Sequence, residues 1–303
     1  MKTKVYKILV IFIIFACVIS SCETVAKIVD VGAQVAGATG IIDQNYADAI
    51  SLSARAIGTA AEEITPQQEY YIGRAVAANI LTTYRIWNGN PALTAYLNNI
   101  CMAITINSPR PDVYNGYRVV ILDSNEINAF ATPGGHIMIT RGLINAATSE
   151  DALAGVIAHE VAHIQLQHSI KSIKSSRITQ AILITGTATV GAAAGMDVNQ
   201  LTDVFNESVG EIVLTLVNNG YSREQELEAD TIALSLMAGA GYNPSSLVDM
   251  LRVLNIVQVA GSGFGRTHPT PSQRITNAER TVRNYIIADL SAARQARFAA
   301  MTR

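Results

Sequence analysis

Residues 159–163 read His-Glu-Val-Ala-His, within a stretch, residues 150–169, that is otherwise rich in alanine, valine and isoleucine. The apolar spacing of that stretch predicts a helix. Four residues make slightly more than one helical turn, so His159 and His163 project from the same side and can reach one metal ion. Glu160 points to the neighbouring side, where it can accept a proton from water held by the ion.

A helix that exposes histidine and glutamate only for solubility is the alternative explanation of this motif. The apolar setting argues against it, because these polar side chains would be partly buried without partners, at a cost of about 1–3 kcal/mol each. A bound cation removes that cost. We therefore predict a catalytic Zn²⁺ site, with one ion per chain, three protein ligands and one position left for water.

The third ligand must come from another part of the chain. His168 is a candidate, but it follows His163 by five residues, which is about 140° further around a helix and a turn away. A later helix, which opens with the capping pattern Ser222-Arg223-Glu224-Gln225, is a better source because of its acidic cluster. The cluster comprises Glu224, Glu226, Glu228 and Asp230. Two pairs in it have i, i+4 spacing, so spacing alone does not choose between them, and a solvated acidic face is the structural alternative.

Three stretches of the chain together resemble a known family. They are the His-Glu-Val-Ala-His motif, Tyr221–Asp230, and Asn128–Ile137, which reads Asn-Ala-Phe-Ala-Thr-Pro-Gly-Gly-His-Ile. The same motifs in the same order are typical of gluzincins of metallopeptidase family forty-eight, of the CAAX-prenyl-protease, HtpX and BepA type. The similarity covers about residues 66–280. It implies an α+β, mostly α-helical zincin-like fold with a small β-sheet whose edge strand lies beside the active-site helix.

Residue by residue, the resemblance implies that His159, His163 and Glu226 hold the zinc ion. It implies that Glu160 is the general base and that Asp230 is the carboxylate that orients a ligand histidine. A zinc-dependent endopeptidase acting on polypeptides follows, with damaged or misassembled envelope proteins as substrates and envelope assembly machinery as a further partner. An assembly or chaperone-like binding factor on a zincin scaffold, with little proteolysis, is the alternative.

The segment after Asn128 has a physical role of its own. Pro133-Gly134-Gly135 predicts a turn, after which the chain can run as an edge strand beside the active-site helix. A peptide that adds to this strand would be held by main-chain hydrogen bonds, whatever its sequence. The predicted substrate strand consists of Gly135, His136, Ile137, Met138 and Ile139. An internal strand is the alternative, and we expect His136 to be structural and not a metal ligand.

A His-Pro pair precedes an arginine in Gly265–Arg274, and the same family has a loop of this kind. His268 could fill the fourth zinc position when no substrate is present. Alternatively, His268 or Arg274 stabilises the oxyanion of the tetrahedral intermediate. A proline-rich turn without a catalytic role is the third reading.

The N-terminal residues predict export. Three lysines precede an uncharged apolar run from Ile8 to Ile19, which is typical of a signal peptide. Ile19-Ser20-Ser21-Cys22 resembles the bacterial lipobox, which would make Cys22 the lipidated first residue of the mature chain and its membrane anchor. An ordinary signal peptide with an incidental cysteine is the alternative.

The predicted organisation has three parts: a lipoprotein signal peptide over residues 1–21, a lipid-anchored tether with an N-terminal helix over 22–64, and a zinc metallopeptidase domain over 65–303. A content of 49% hydrophobic and 15% charged residues is typical of a globular protein. The formal net charge of −2 argues against a nucleic-acid partner. We expect a periplasm-facing lipoprotein of the bacterial cell envelope, and Glu23 after the lipidated cysteine favours the outer membrane over the inner.

Overall fold

The computed structural model describes residues 22–40, 43–44, 47–48, 51, 65–171, 209–210, 212–257, 263–268, 271–285 and 291–302. The chain divides into two compact units, Met1–Ile64 with Ser172–Ser208, and Thr65–Lys171 with Val209–Arg303. The predicted signal peptide lies outside the described residues, as does most of the second half of the predicted tether. No helix among the described residues is long and apolar enough to cross a membrane.

The first unit contains helix α1, Cys22–Ala38. The stretch predicted as a tether therefore begins with a regular helix. Its small residues allow close packing, since a Cβ added at Gly37 would lie 2.5 Å from the Cβ of Ala47. The Ser51 hydroxyl donates to the carbonyl of Asp30 at 3.3 Å and joins the same two segments.

The second unit is mostly helical with one small sheet. In chain order its elements are α2 (Pro66–Thr83), α3 (Pro91–Thr105), β1 (Arg118–Leu122), β2 (Ala129–Thr132), a 3-10 turn (Pro133–Gly135), β3 (His136–Thr140), α4 (Arg141–Ala146), α5 (Glu150–Gln165), a π-helical turn (Thr215–Asn219), α6 (Arg223–Gly239), α7 (Ser245–Val257), α8 (Phe264–Thr267), α9 (Pro271–Thr281), a second 3-10 turn (Val282–Asn284) and α10 (Ser291–Thr302). This arrangement is the predicted α+β zincin-like architecture.

The sheet has the strand order β1-β3-β2, with β1 parallel and β2 antiparallel to β3. The prediction that Gly135 to Ile139 form a substrate-binding edge strand is therefore wrong. Gly135 lies in the turn, and His136, Ile137, Met138 and Ile139 lie in the central strand, whose two sides are both paired. The edge strand that packs beside α5 is β2. Its four residues Ala-Phe-Ala-Thr lack the β-branched pattern by which the longer strands were predicted.

The turn between β2 and β3 depends on glycine. Gly134 has φ 75°, and a Cβ there would lie 2.4 Å from the Cα of Tyr70. The amide of Gly134 donates to the buried carboxylate of Glu69 at 3.3 Å. The turn is thus held against α2, and β2 is fixed in place on one side of the sheet.

Helix α5 runs through the centre of this unit, and every residue from Glu150 to Ile164 is buried. Ser149 caps its first turn by accepting from the amide of Ala152. The acidic first turn is neutralised from α10, because Glu150 pairs with Arg297 at 2.6 Å and Asp151 pairs with Arg294 at 2.9 Å. Helix α6 packs along α5 and begins with the predicted capping box of Ser222 and Gln225.

Candidate metal centre

Four buried side chains bring their ligand atoms together at the centre of the unit. They are His159 and His163 on α5, Glu226 on α6 and His268 just after α8, and one ligand atom from each lies within 4.8 Å of the others. The pair on α5 is adjacent because of its i, i+4 spacing, and the Nε2 atoms are 3.0 Å apart. Spacing alone did not choose the later residues, and the resemblance implied Glu226 as a ligand and left His268 open; the fold brings both to this pair.

The separations of these atoms are close to those between ligands of one metal ion. Ligands about 2.0–2.1 Å from zinc at tetrahedral angles lie about 3.4 Å from one another. Glu226 Oε2 is 3.5 Å from His159 Nε2, and Glu226 Oε1 is 3.5 Å from His163 Nε2. His268 Nδ1 is 3.3 Å from His159 Nε2 and 3.0 Å from Glu226 Oε1. The nitrogen and oxygen donor set is one that zinc commonly takes.

Glu160 lies beside this cluster with both carboxylate oxygens buried, and neither has a hydrogen-bond partner among the described residues. The imidazole of His268 lies next to it, with Nε2 3.5 Å from Glu160 Oε1. Burial raises the pKa of Glu160 above its usual value. A buried carboxylate without partners is costly unless another group supplies them, and the space next to a metal ligand cluster is where a water or substrate could do so.

Arg274 is wholly buried and contacts two carboxylates, that of Glu226 in the cluster and that of Asp230 behind it. Its Nε and Nη2 donate to the two oxygens of Asp230, each at 2.8 Å, and Nη1 lies 2.7 Å from Glu226 Oε2 without hydrogen-bond alignment. Asp230 Oδ1 in turn is 3.0 Å from His159 Nδ1. The guanidinium is thus occupied by two carboxylates. This geometry assigns Arg274 a positioning role and does not favour the predicted contact with an oxyanion.

The charges around the cluster set its protonation. Burial and Arg274 both lower the pKa of His159, but hydrogen bonds to Asp230 and Glu226 outweigh them and raise it to about 9. Binding of a cation at His159 must therefore displace a proton. Burial holds the pKa of His163 well below its usual range, so this imidazole is neutral. Burial would raise the pKa of Glu226, but Arg274 and a neighbouring imidazole outweigh it and keep this carboxylate ionised.

The acidic cluster on α6 is divided by the fold. Glu226 and Asp230 are buried on the side that faces α5, which resolves the choice between the two i, i+4 pairs. Glu224 is exposed and pairs with its neighbour Arg223 at 3.0 Å. Glu228 is half exposed and lies 3.3 Å from His168.

Two residues that sequence reasoning rejected or passed over lie against His163. The Nδ1 atom of His168 is 2.8 Å from His163 Nδ1. The ring of Tyr221 stacks on His163 with centroids 4.0 Å apart, and its hydroxyl is 2.7 Å from Ser169 Oγ. His168 was ranked low because its position was judged for a straight helix. Tyr221 lies beside the capping box, and its sequence position did not predict a contact with His163.

The segment that ends at His268 is hydrogen-bonded to the residues just before β2. The amide of Phe264 donates to the carbonyl of Ile127 at 2.8 Å, and the Thr267 hydroxyl donates to Asn128 Oδ1 at 3.1 Å. The proline that follows His268 in the sequence lies outside the described residues. Asn128 directly precedes β2, so its hydrogen bond with Thr267 links the His268 loop to the edge strand.

Within the described ranges, no strand pairs with the side of β2 opposite β3, and we call this its free side. The amide of Thr140 donates to the carbonyl of Asn128, so alternation of the antiparallel ladder turns the main-chain groups of Ala131 away from β3. A narrow cleft beside this strand is lined by Thr132 and His163, among others.

His136 is remote from the cluster, since it stacks on Tyr70 and is not among the grouped ligands of the described residues.

Comparison with known proteins agrees with this geometry. The sequence model of Peptidase family M48 matches residues 91–282. The putative beta-barrel assembly-enhancing protease of Vibrio cholerae is 28% identical over 240 residues, which cover 76% of this chain and 47% of that protein. The mitochondrial metalloendopeptidase OMA1 of Schizosaccharomyces pombe is 28% identical over 193 residues, 61% of this chain and 52% of that protein.

The beta-barrel assembly-enhancing protease of Escherichia coli K12 is 26% identical over 200 residues, 62% of this chain and 39% of that protein. The chain thus spans about half or less of the length of these curated relatives. The family match, however, covers the site and more than half of the chain. The chain belongs to peptidase family M48.

Proposed function

We propose that this protein is a zinc-dependent endopeptidase. The observation that carries the proposal is the buried group of three imidazoles and one carboxylate beside Glu160, whose own oxygens accept no hydrogen bond from the part of the chain that the structure describes. His159, His163 and Glu226 are the proposed ligands. A zinc ion held there would lower the pKa of a bound water to about 7 and polarise the carbonyl of the peptide bond.

Glu160 is the proposed general base and acid. Its buried, unpartnered carboxylate accepts a proton from the attacking water and returns it to the nitrogen of the leaving amine. Burial raises its pKa, which makes a carboxylate a better base than it is in water. Arg274 and Asp230 are proposed to hold the ligands, through their contacts with Glu226 and His159.

The proposed substrate-binding strand is β2, in place of β3. Main-chain groups of Ala131 point to its free side, so a peptide could add as a fourth strand without a requirement for particular side chains. The neighbouring cleft is narrow, and one of its lining residues is His163, a proposed ligand. We infer that His268 fills the fourth zinc position in the resting state and must leave when a peptide binds. The hydrogen bond to Asn128 links the His268 loop to β2, so that a peptide on β2 could affect the loop.

The proposed setting is the bacterial cell envelope, with a lipid anchor at Cys22, the outer membrane favoured, and damaged or misassembled envelope polypeptides as substrates. The names of the Vibrio and Escherichia relatives support a link to beta-barrel assembly. A partner from that assembly machinery is part of the proposal. The side chain of Cys22 and the residues before it lie outside the described part of the chain.

Replacement of Glu160 by glutamine tests the function. The variant should retain zinc at one ion per chain and lose cleavage of casein, because the ligands stay while the base is removed. Zinc content by atomic absorption and casein cleavage would be measured on the same sample. A Glu160→Gln protein that cuts casein at the native rate would overturn the assignment.

A further inference from the structure

His168 lies on the side of His163 that faces away from the ligand cluster. The two Nδ1 atoms are 2.8 Å apart, and the other ring nitrogen of His168, Nε2, is 3.3 Å from Glu228 Oε2. Both imidazoles are buried. The three side chains therefore form a chain of polar contacts that runs from the surface of α6 to a proposed metal ligand.

The direction of each hydrogen bond in this chain follows from the ligand role of His163. Its Nε2 faces His159 and Glu226, so this nitrogen must offer its lone pair to the cation. A histidine that binds a cation through Nε2 carries its proton on Nδ1, from where it can be donated only to an acceptor. His168 Nδ1 must therefore be unprotonated, which places its proton on Nε2, from where it can be donated to Glu228.

A left-handed turn makes this contact possible. A continuous helix would place His168 on another side from His163, but α5 ends at Gln165 and Gln167 has φ 54°. Among the described residues it is the one non-glycine residue with positive φ. Its side chain donates to Glu69 Oε2 at 3.0 Å, which helps to hold this unusual conformation. The turn returns the chain so that His168 reaches back to His163.

We propose that His168 and Glu228 are positioning residues of the metal site. They hold His163 in the tautomer and ring orientation that binding through Nε2 requires, as Asp230 does for His159 through its contact of 3.0 Å with Nδ1. One ligand histidine is thus oriented by a carboxylate directly, and the other by a carboxylate acting through a second imidazole. The inference rests on the proposed zinc site and adds two residues to it.

Zinc affinity is the readout that tests this role without reference to proteolysis. The dissociation constant would be measured on the purified protein by competition with a chromophoric chelator. His168→Leu removes the acceptor and should weaken zinc binding about 10–100-fold. His168→Asn places an amide oxygen near the position of Nδ1 and should restore most of the affinity. Glu228→Ala should weaken binding less than His168→Leu, and Glu224→Ala, the exposed control on the same helix, should leave it unchanged within twofold.

A double-mutant cycle separates positioning from a general structural effect. In a His163→Ala background, His168→Leu should cause no further loss of zinc affinity, because its target is gone. The same loss in both backgrounds would overturn the proposal, as would zinc binding by folded His168→Leu within twofold of the wild type. If His168→Leu does not fold, as judged by circular dichroism, a folded His168→Asn protein with a loss as large as tenfold would also contradict it.

The result also distinguishes this inference from the proposed function. A wild-type protein that binds no zinc would refute the metal site as a whole. A wild-type protein that binds zinc through Glu226, with affinity unaffected by His168→Leu, would refute only the positioning role.

Discussion

Arg274→Met should destabilise the protein strongly, because it removes the buried guanidinium that contacts two buried carboxylates. Arg274 is fully buried, and its guanidinium contacts both oxygens of Asp230 at 2.8 Å and one oxygen of Glu226 at 2.7 Å. Methionine fills similar space and carries no charge. Removal of one partner of a buried ion pair costs about 3–5 kcal/mol, since the remaining charge stays desolvated.

A loss of that size is measurable by thermal and urea unfolding in the presence of a metal chelator, which prevents a bound cation from masking the effect. For a domain of roughly 150–250 residues, each kcal/mol lowers the melting temperature by about 2–4 °C, so a decrease of about 6–20 °C is expected. Arg274→Lys should be intermediate, because one ammonium group cannot hold both oxygens of Asp230 and reach Glu226 as well.

Arg252→Met is the matched control. Arg252 also contacts two carboxylates, Asp249 and Glu279, each at 2.6 Å, but its side chain is 51% exposed. Solvent-exposed pairs of this kind contribute about 0–1 kcal/mol. Equal destabilisation by Arg274→Met and Arg252→Met, or a change below about 1 kcal/mol for Arg274→Met, would refute the claim that buried charge compensation holds the site together.

Three further outcomes are expected. Glu226→Ala should lower zinc content far more than Glu224→Ala, and equal zinc occupancy in the two variants would contradict the ligand assignment. His268→Ala should accelerate casein cleavage if the imidazole blocks the fourth position, whereas a loss of about a hundredfold in turnover would assign it to the oxyanion instead, and an unchanged rate would leave it a turn residue. Cys22→Ser should release the protein from membranes in cell fractionation, and a variant that stays wholly membrane-bound after signal cleavage would exclude lipid as the main anchor.

Much of the helical framework could be predicted from local patterns. The capping box at Ser222 opens α6 as expected, and the apolar helix around His159 forms the centre of the unit. These features depend on residues near in sequence, whose periodicity and capping groups act over one or two turns. The pairing of His159 with His163 is of the same local kind.

The strand pairing could not be predicted, because it depends on partners far along the chain. Residues His136–Thr140 have the composition of a strand, but composition does not tell whether one or both sides are paired. The short strand Ala129–Thr132 covers one side and Arg118–Leu122 the other, so the central position is taken by β3. The edge position was therefore assigned to the wrong member of the sheet.

The contacts that His168 and Arg274 make behind the ligands could not be predicted, for similar reasons. His168 was judged by the geometry of a continuous helix, and the left-handed conformation of Gln167 breaks that geometry. Arg274 is distant in sequence from the carboxylates that it holds, and a single arginine in a proline-containing loop gives no sign of burial. Sequence spacing could identify candidates on one helix, but contacts between helices required the fold.

The central claim is that a metal ion in the His159, His163 and Glu226 cluster makes this protein an endopeptidase. Casein cleavage by the purified protein, measured before and after removal of metal with a chelator and again after addition of one equivalent of Zn²⁺, tests it most directly. Cleavage should be lost with the metal and return with zinc. Cleavage that persists after complete removal of metal would contradict the claim.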